Sequence, residues 1–412
     1  VGIDKQVKRN SRYAIAIGIG LALFPVHNSW LAKVSAVGGE TTIFLPAFGA
    51  VMWMLATLFY LRDNWHEVDW GDRKIYIPLL VIVGAIGLSG ITADTWGGKV
   101  APLCMGGTLF SLYLVARKLG KDIFLPLAIG AVIASFGVII SGFIHPGQVT
   151  GGFVFEANYD IIVGYVLLSG ALFINKDQWI LASLALVAMF LAGSPEAVFA
   201  VGVLSFFVLL RQDWGKKLVI ALVPVAVIAG TWFGLGYGQE LYDYTTQTAK
   251  STPILDTSTL PSEQEPATNK VEQGETKKSA IRYREAVIAY EMTHIKPFGG
   301  GYNLTEFNKQ RNVHNVPLIL VQQLGYPGIL AGLAWLWVSV WCLVRTKWKY
   351  VWVLIFALSV FDHFIWTQLA PWWWAIIGVT TASTIKTDLI FKGRNRAETR
   401  VEYMSRKLKE GE

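Results

Sequence analysis

The sequence predicts an all-α polytopic membrane protein: about twelve transmembrane helices with one large extracytoplasmic loop containing short helices. Three observations carry that prediction. Of 412 residues, 53% are hydrophobic and only 16% charged, and the mean hydropathy is +0.44; soluble domains run near a quarter charged. Apolar runs of the roughly 20 residues that one bilayer crossing needs recur along the chain. Basic residues gather in alternate loops. Together these exclude a disordered chain, a disulfide-rich secreted scaffold and an ordinary soluble enzyme.

Taken in order, Lys5, Lys8, Arg9 and Arg12 run straight into the first apolar segment, 13–31, with no small-residue cleavage site. They read as the inner anchor of a first helix rather than as a cleaved signal. Further spans are expected at 43–61, 75–93, 100–116, 123–144, 159–175, 179–193, 196–210, 217–235, 318–344, 350–368 and 371–390. The seventh and eighth meet at Gly193-Ser194-Pro195-Glu196, as a helical hairpin or a broken pair. The chain thus divides into an N-terminal transmembrane bundle (1–235), a long outer loop (236–316), C-terminal transmembrane helices (317–392) and a basic cytoplasmic tail (393–412). Cys104 and Cys342 lie in apolar runs without His or Cys at ligand spacing, and both read as buried small hydrophobes. Trp372-Trp373-Trp374 reads as an aromatic belt anchor at the outer interface.

Charge tests the map independently. With the N-terminus inside, 25 of the 36 basic residues fall in inside segments. The short outer loops hold only Lys33 and Lys99, and the remaining nine sit in the long loop, where the positive-inside rule does not apply. Both termini are therefore expected in the cytoplasm. The net charge of +7 is mostly this topological charge, facing the anionic lipid headgroups of the bilayer, and calls for no nucleic-acid partner.

The long loop has two halves. Residues 245–279 are rich in Thr, Ser, Pro, Glu, Gln and Lys and carry almost no large apolar residue, a composition that cannot build a core. In Ala280–Ile295, by contrast, Ile281, Ile288, Met292 and Ile295 recur at helical spacing and predict an amphipathic helix. Arg282 and Arg284 lie on it, and Arg311 and His314 follow just ahead of the tenth span. Arg suits phosphate because its fixed fork of donors matches phosphate oxygens and stays charged. His titrates near neutrality and can take a proton from a hydroxyl. Gly299 and Gly301 let the backbone turn and bring N–H groups to an anion. The group points to phosphate handling coupled to proton abstraction. No Walker, HExxH or Gly-x-Ser-x-Gly motif supports nucleotide hydrolysis, zinc proteolysis or serine hydrolysis.

The order of these residues resembles the signature region of the O-antigen ligase/O-antigen polymerase superfamily. The stretch carrying it runs from Arg282 through Glu291-Met292, Pro297-Phe298-Gly299-Gly300-Gly301 and His314-Asn315 to Leu324-Gly325-Tyr326-Pro327-Gly328. Fifteen residues separate Arg282 from Pro297. Phe361-Asp362-His363-Phe364 and Asn158-Tyr159-Asp160 are also similar to family sequence. The resemblance implies a GT-C-like membrane glycosyltransferase, metal-independent and without a cofactor, in the bacterial cytoplasmic membrane with its active site outside. The donor it implies is a glycan on a polyprenyl diphosphate, undecaprenyl diphosphate above all. The acceptor is a hydroxyl on a lipid, a glycan or a protein. In that picture His314 is the general base and Arg282 steadies the leaving diphosphate. Arg284, Arg311, Asn315, Gly299, Gly301, Asp362 and His363 bind or position substrate.

Two features depart from the family pattern. Ala286 stands where members often carry a Trp four residues after the Arg, and Ser194-Pro195-Glu196 stands where many carry a Ser-Arg pair that binds diphosphate. The expected activity is ligase-like transfer, with polymerisation or transfer to protein as variants that differ only in the acceptor. A transporter or flippase is the alternative from another class. It should carry polar, helix-breaking residues near the midplane in matching halves, whereas here the polar load lies in one outer loop.

Overall fold

A computed structural model describes residues 2–23, 45–92, 96–144, 159–176, 178–191, 202–204, 206, 210, 297–299, 316–361, 365–366 and 369–382. All regular structure among them is helical. The helices are α1 (Gly2–Leu23), α2 (Leu45–Asn64), α3 (Arg73–Ser89), α4 (Trp96–Leu119), α5 (Phe124–Ile144), α6 (Tyr159–Asn175), α7 (Trp179–Leu191), α8 (Val316–Leu324), α9 (Tyr326–Arg345), α10 (Lys349–Phe361) and α11 (370–382). Local chemistry sets several boundaries. Asp72 caps α3, its carboxylate accepting from Lys74 N–H at 2.9 Å and satisfying a donor that a helix start leaves unpaired. A 3-10 turn at Gly120–Ile123 separates α4 from α5, a common use of this tighter helix.

Among the described residues, two helical stretches are long and apolar enough to cross a membrane, Lys99–Ile140 and Tyr326–Arg345. The first has 42 residues, about twice one crossing, and the turn at Gly120–Ile123 divides it into two pieces. Several helices wear apolar stripes outward at helical spacing. On α5 these are Leu125, Ile129, Ile133, Phe136 and Ile140; on α2, Phe48, Val51, Leu55 and Leu58. Exposed apolar surface on this scale marks a lipid-facing or partner-facing side.

α11 is the opposite case. Every residue from 369 to 381 is buried, as befits a helix that is apolar all round. It reaches three others. Trp372 Nε1 donates to Leu21 O of α1 at 2.8 Å, Trp373 stacks on Trp335 of α9, and Trp374 meets Phe110 of α4 edge-on. This corrects the aromatic-belt expectation for Trp372-Trp373-Trp374, whose rings fill the centre of the bundle. The exposed aromatics near helix ends are instead Trp65, Trp70, Trp96 and Tyr326, the places where amphipathic rings meet an interface. Cys342 is buried as expected, but Cys104 is exposed. It lies beside Leu103 on the outward side of α4.

Two span expectations also change. α1 begins at Gly2 rather than at residue 13, because Lys, Arg and Gln are good helix formers and nothing ahead of Tyr13 stops the helix. The tenth span, expected as one helix over 318–344, is broken at Gly325 into α8 and α9. Residues 24–44, 145–158 and most of 192–296, with the expected span 217–235 and the helix Ala280–Ile295, lie outside the described residues, and of the expected span 196–210 only residues 202–204, 206 and 210 are described, all helical.

The basic helix ends meet at one end of the bundle. Arg9 of α1 donates to Asn64 at the end of α2. Lys118 pairs with Glu67, and Arg117 with Asp69 and with Thr381 of α11. Cys342, near the end of α9, lies against Thr380. Trp348, just beyond α9, meets both Lys176 and Phe124. The start of α9, twenty residues and about 30 Å away along the helix, belongs to the other end.

Candidate functional site

The other end contains one corner built from two motifs far apart in sequence. α8 presents Val316, Ile319, Leu320, Gln323 and Leu324 to the interior, the apolar spacing of a helix packed on one face. Gly325 follows with φ +67° and ψ −142°, a region essentially confined to glycine. The chain reverses there, and α8 folds back against the first turns of α9. In a straight helix Leu320 and Gly328 would stand about 12 Å apart. Here a Cβ on Gly328 would overlap the Leu320 carbonyl. Pro327 opens α9 at a position where its missing N–H costs nothing.

The turn Pro297-Phe298-Gly299 is seated on this corner. Tyr326 N–H donates to Pro297 O at 3.1 Å. Gly299 is buried, with φ +73°. A Cβ there would run into the Gln323 carbonyl and come within 2.5 Å of Leu324 N. The Pro-x-Gly turn and the Gly-x-x-Gly turn, about 25 residues apart in the chain, are thus fitted backbone to backbone, and only glycine permits it. The Gln323 side chain is buried beneath them, and its Oε1 accepts from Trp366 Nε1 at 3.0 Å.

Of the residues expected to act, Gly299 is placed in this corner. Arg282, Arg284, Gly301, Arg311, His314, Asn315, Asp362 and His363 lie outside the described residues, as does Glu196. In the chain, His314-Asn315 directly precede Val316, the first residue of α8, and Asp362-His363 directly follow Phe361, the last of α10. α8 and α10 are in contact. Gln323 and Trp366 went unread in the sequence. The signal that could have found Gln323 is the polar pair Gln322-Gln323 inside an apolar run, since polar side chains in such a setting are costly unless they serve packing or function.

Among the described residues, the ion pairs lie at the opposite, basic end. The Arg117 side chain is 4% exposed and pairs with Asp69 at 2.7 Å, while its Nη1 donates to Thr381 Oγ1 at 3.2 Å. Tyr113 O–H donates to Trp70 O at 3.0 Å. Partial burial pushes the Asp69 carboxyl up. The Arg117 hydrogen bond, the Gly71 N–H and the charges of Arg117 and Lys118 outweigh it and hold the group below the ordinary carboxylate range. Among the described residues no cluster of His, Cys, Asp and Glu could hold a metal.

No protein-family model and no curated protein sequence matches the chain. What the corner does is therefore read from its own residues.

Proposed function

We propose that this chain is a multi-pass membrane glycosyltransferase of GT-C-like architecture, with about twelve crossings. It moves a glycan from a polyprenyl diphosphate to an acceptor hydroxyl on the outer face of the cytoplasmic membrane. The observation that carries this is the seating of Pro297-Phe298-Gly299 on the Gly325–Gly328 corner. Two separated pieces of the motif behind the resemblance are in backbone contact, at the end of the bundle away from its basic loops. That end is the outer one under the positive-inside rule.

The chemistry follows from the residue types. The acceptor oxygen attacks the anomeric carbon from the side opposite the diphosphate, so the configuration inverts. His314 takes the hydroxyl proton as general base. The bond from the anomeric carbon to the diphosphate oxygen breaks, and charge develops on the departing lipid diphosphate. Arg282 stabilises that charge, with Arg284 and Arg311 as further anion contacts. Asn315, Gly299, Gly301, Asp362 and His363 shape the site for sugar and acceptor. A lipid acceptor makes the enzyme ligase-like, and a carrier-linked glycan or a protein hydroxyl gives the polymerase and protein-transferase variants.

The break at Gly325 is a feature that favours a transporter, whose substrate sites use interrupted helices. Such interruptions belong near the bilayer midplane. α9 alone has 20 residues, enough for a full crossing, which supports a break at the membrane surface and a loop-borne active site.

The test follows release of free lipid diphosphate from a synthetic polyprenyl-diphosphate oligosaccharide, using purified protein and a mixed acceptor pool. Glycan-dependent release by the wild type is expected. His314→Ala and Arg282→Ala, purified as folded protein, should lower it at least a hundredfold. Absence of release, together with movement of labelled lipid or sugar across a vesicle membrane, would replace this function with transport.

A further inference from the structure

Gln323 and Trp366 belong to none of the roles assigned above, yet they lie directly beneath the corner. Gln323 is 6% exposed and Trp366 1%. Their side chains meet in a neutral hydrogen bond of 3.0 Å, from the indole N–H to the amide oxygen, between residues 43 apart in sequence. The backbone of the same Gln323 is the surface that Gly299 rests on. One residue therefore fixes two things at once: the pitch of α8 against the segment after α10, and the seat of the glycine turn. α8 is nine residues long, about two and a half turns, and the Gln323 hydrogen bond adds to its apolar packing a directional tie that apolar contact lacks. A rotation of α8 would move Gly299 with it. It would also move Val316, to which His314-Asn315 are joined directly in the chain.

We infer that Gln323 and Trp366 form a positioning pair for the transfer reaction, locking α8 so that the glycine turn and the start of α8 keep one fixed relation. This rests on the transferase function proposed above. The pair touches no reacting atom. It acts by holding in register the backbone segments that carry the groups that do, and small misplacements of such groups cost large factors in rate.

The experiment uses the full chain in detergent and the lipid-diphosphate release assay. Trp366→Phe removes the N–H together with part of the buried ring, and Gln323→Met removes the amide, acceptor and donor alike, at nearly constant volume. Each is expected to lower kcat about tenfold, with KM for the donor within about twofold of wild type and the thermal midpoint nearly unchanged in Gln323→Met and lowered by about a few degrees in Trp366→Phe, whose smaller ring leaves a cavity. Because both substitutions break one shared bond, the double variant should fall no further than either single one. Single variants with wild-type kcat, or effects that multiply in the double variant, would overturn the positioning role while leaving the transferase function standing. Loss of rate in Gln323→Met that tracks a lowered thermal midpoint would overturn it too, as plain destabilisation. A wild type that releases no lipid diphosphate would take down the transferase function and the positioning role together.

Discussion

Among the described residues, the two ends of the bundle are held by different physics. The basic end is fastened by charge: the Arg117 guanidinium, buried among helices, reaches Asp69 in the loop after α2 and Thr381 on α11. The other end is fastened by backbone shape: Gly299 and Gly325 at positive φ, a peptide N–H on Pro297 O, and one neutral side-chain hydrogen bond. An ion pair tolerates small displacements, because Coulomb attraction falls slowly with distance. Backbone seated on backbone does not, because an added Cβ meets hard-sphere repulsion at once. A corner of this second kind suits a place where reacting groups must be held to within fractions of an ångström. The first kind suits a structural clasp.

Substitutions can break or sharpen that contrast. The largest effect is expected at Gly299→Ala. The new methyl must displace the Gln323 backbone, so lipid-diphosphate release should drop at least a hundredfold, equivalent to about 2.7 kcal/mol in the barrier. The thermal midpoint should move little, because the turn is a small part of the fold. Retention of more than a tenth of the wild-type rate would show that the turn is not seated tightly. Next in size is Arg117→Ala. Breaking a fully buried ion pair costs about 3–5 kcal/mol, and the exposure of Asp69, at 66% of its side chain, reduces this to about 1–2 kcal/mol. Denaturation should show that loss, while the rate per folded molecule stays within about twofold of wild type. A hundredfold loss of rate without loss of stability would make the clasp part of the catalytic machinery.

The smallest effect concerns acid. The folded state holds Asp69 below its ordinary value, so the carboxylate contributes stability that is fully present above the unfolded pKa of about 3.9 and is lost as pH falls through the lower folded value. Thermal midpoints of the wild type should therefore carry an acid-side decline below about pH 4 that is shallower in Asp69→Asn. Identical declines in the two proteins would remove the ion pair from the account of the basic end.

The sequence was most legible where apolar runs are bounded by charge. α6 coincides with its expected span, ending at Asn175 ahead of Lys176 and Asp177, and α5 differs from its span by one residue, beginning after Lys121-Asp122. Hydropathy sees length and polarity, and those decide such boundaries. It does not see conformation, so 318–344 reads as one span by hydropathy although Gln322-Gln323 and the Gly325-Tyr326-Pro327-Gly328 turn lie within it. It does not see direction either. Trp372-Trp373-Trp374 and Cys104 were placed by rules about residue type, whereas the tryptophans pack inward around α11 and Cys104 faces out. Of the candidate site, the glycine turns were legible because glycine spacing is written in the chain. The Gln323–Trp366 bond was not, because its partners are 43 residues apart and only folding brings them together.

The most direct test of the account is the sidedness of turnover. Sealed membrane vesicles of defined orientation would be given a water-soluble, short-chain polyprenyl-diphosphate oligosaccharide that does not cross the bilayer, together with an acceptor on the same side. Transfer is expected in right-side-out vesicles, where the proposed topology presents the Pro297–Gly299 corner to the medium, and none in inverted vesicles until they are permeabilised. Transfer confined to inverted vesicles would place the chemistry at the Arg117 end and contradict the account.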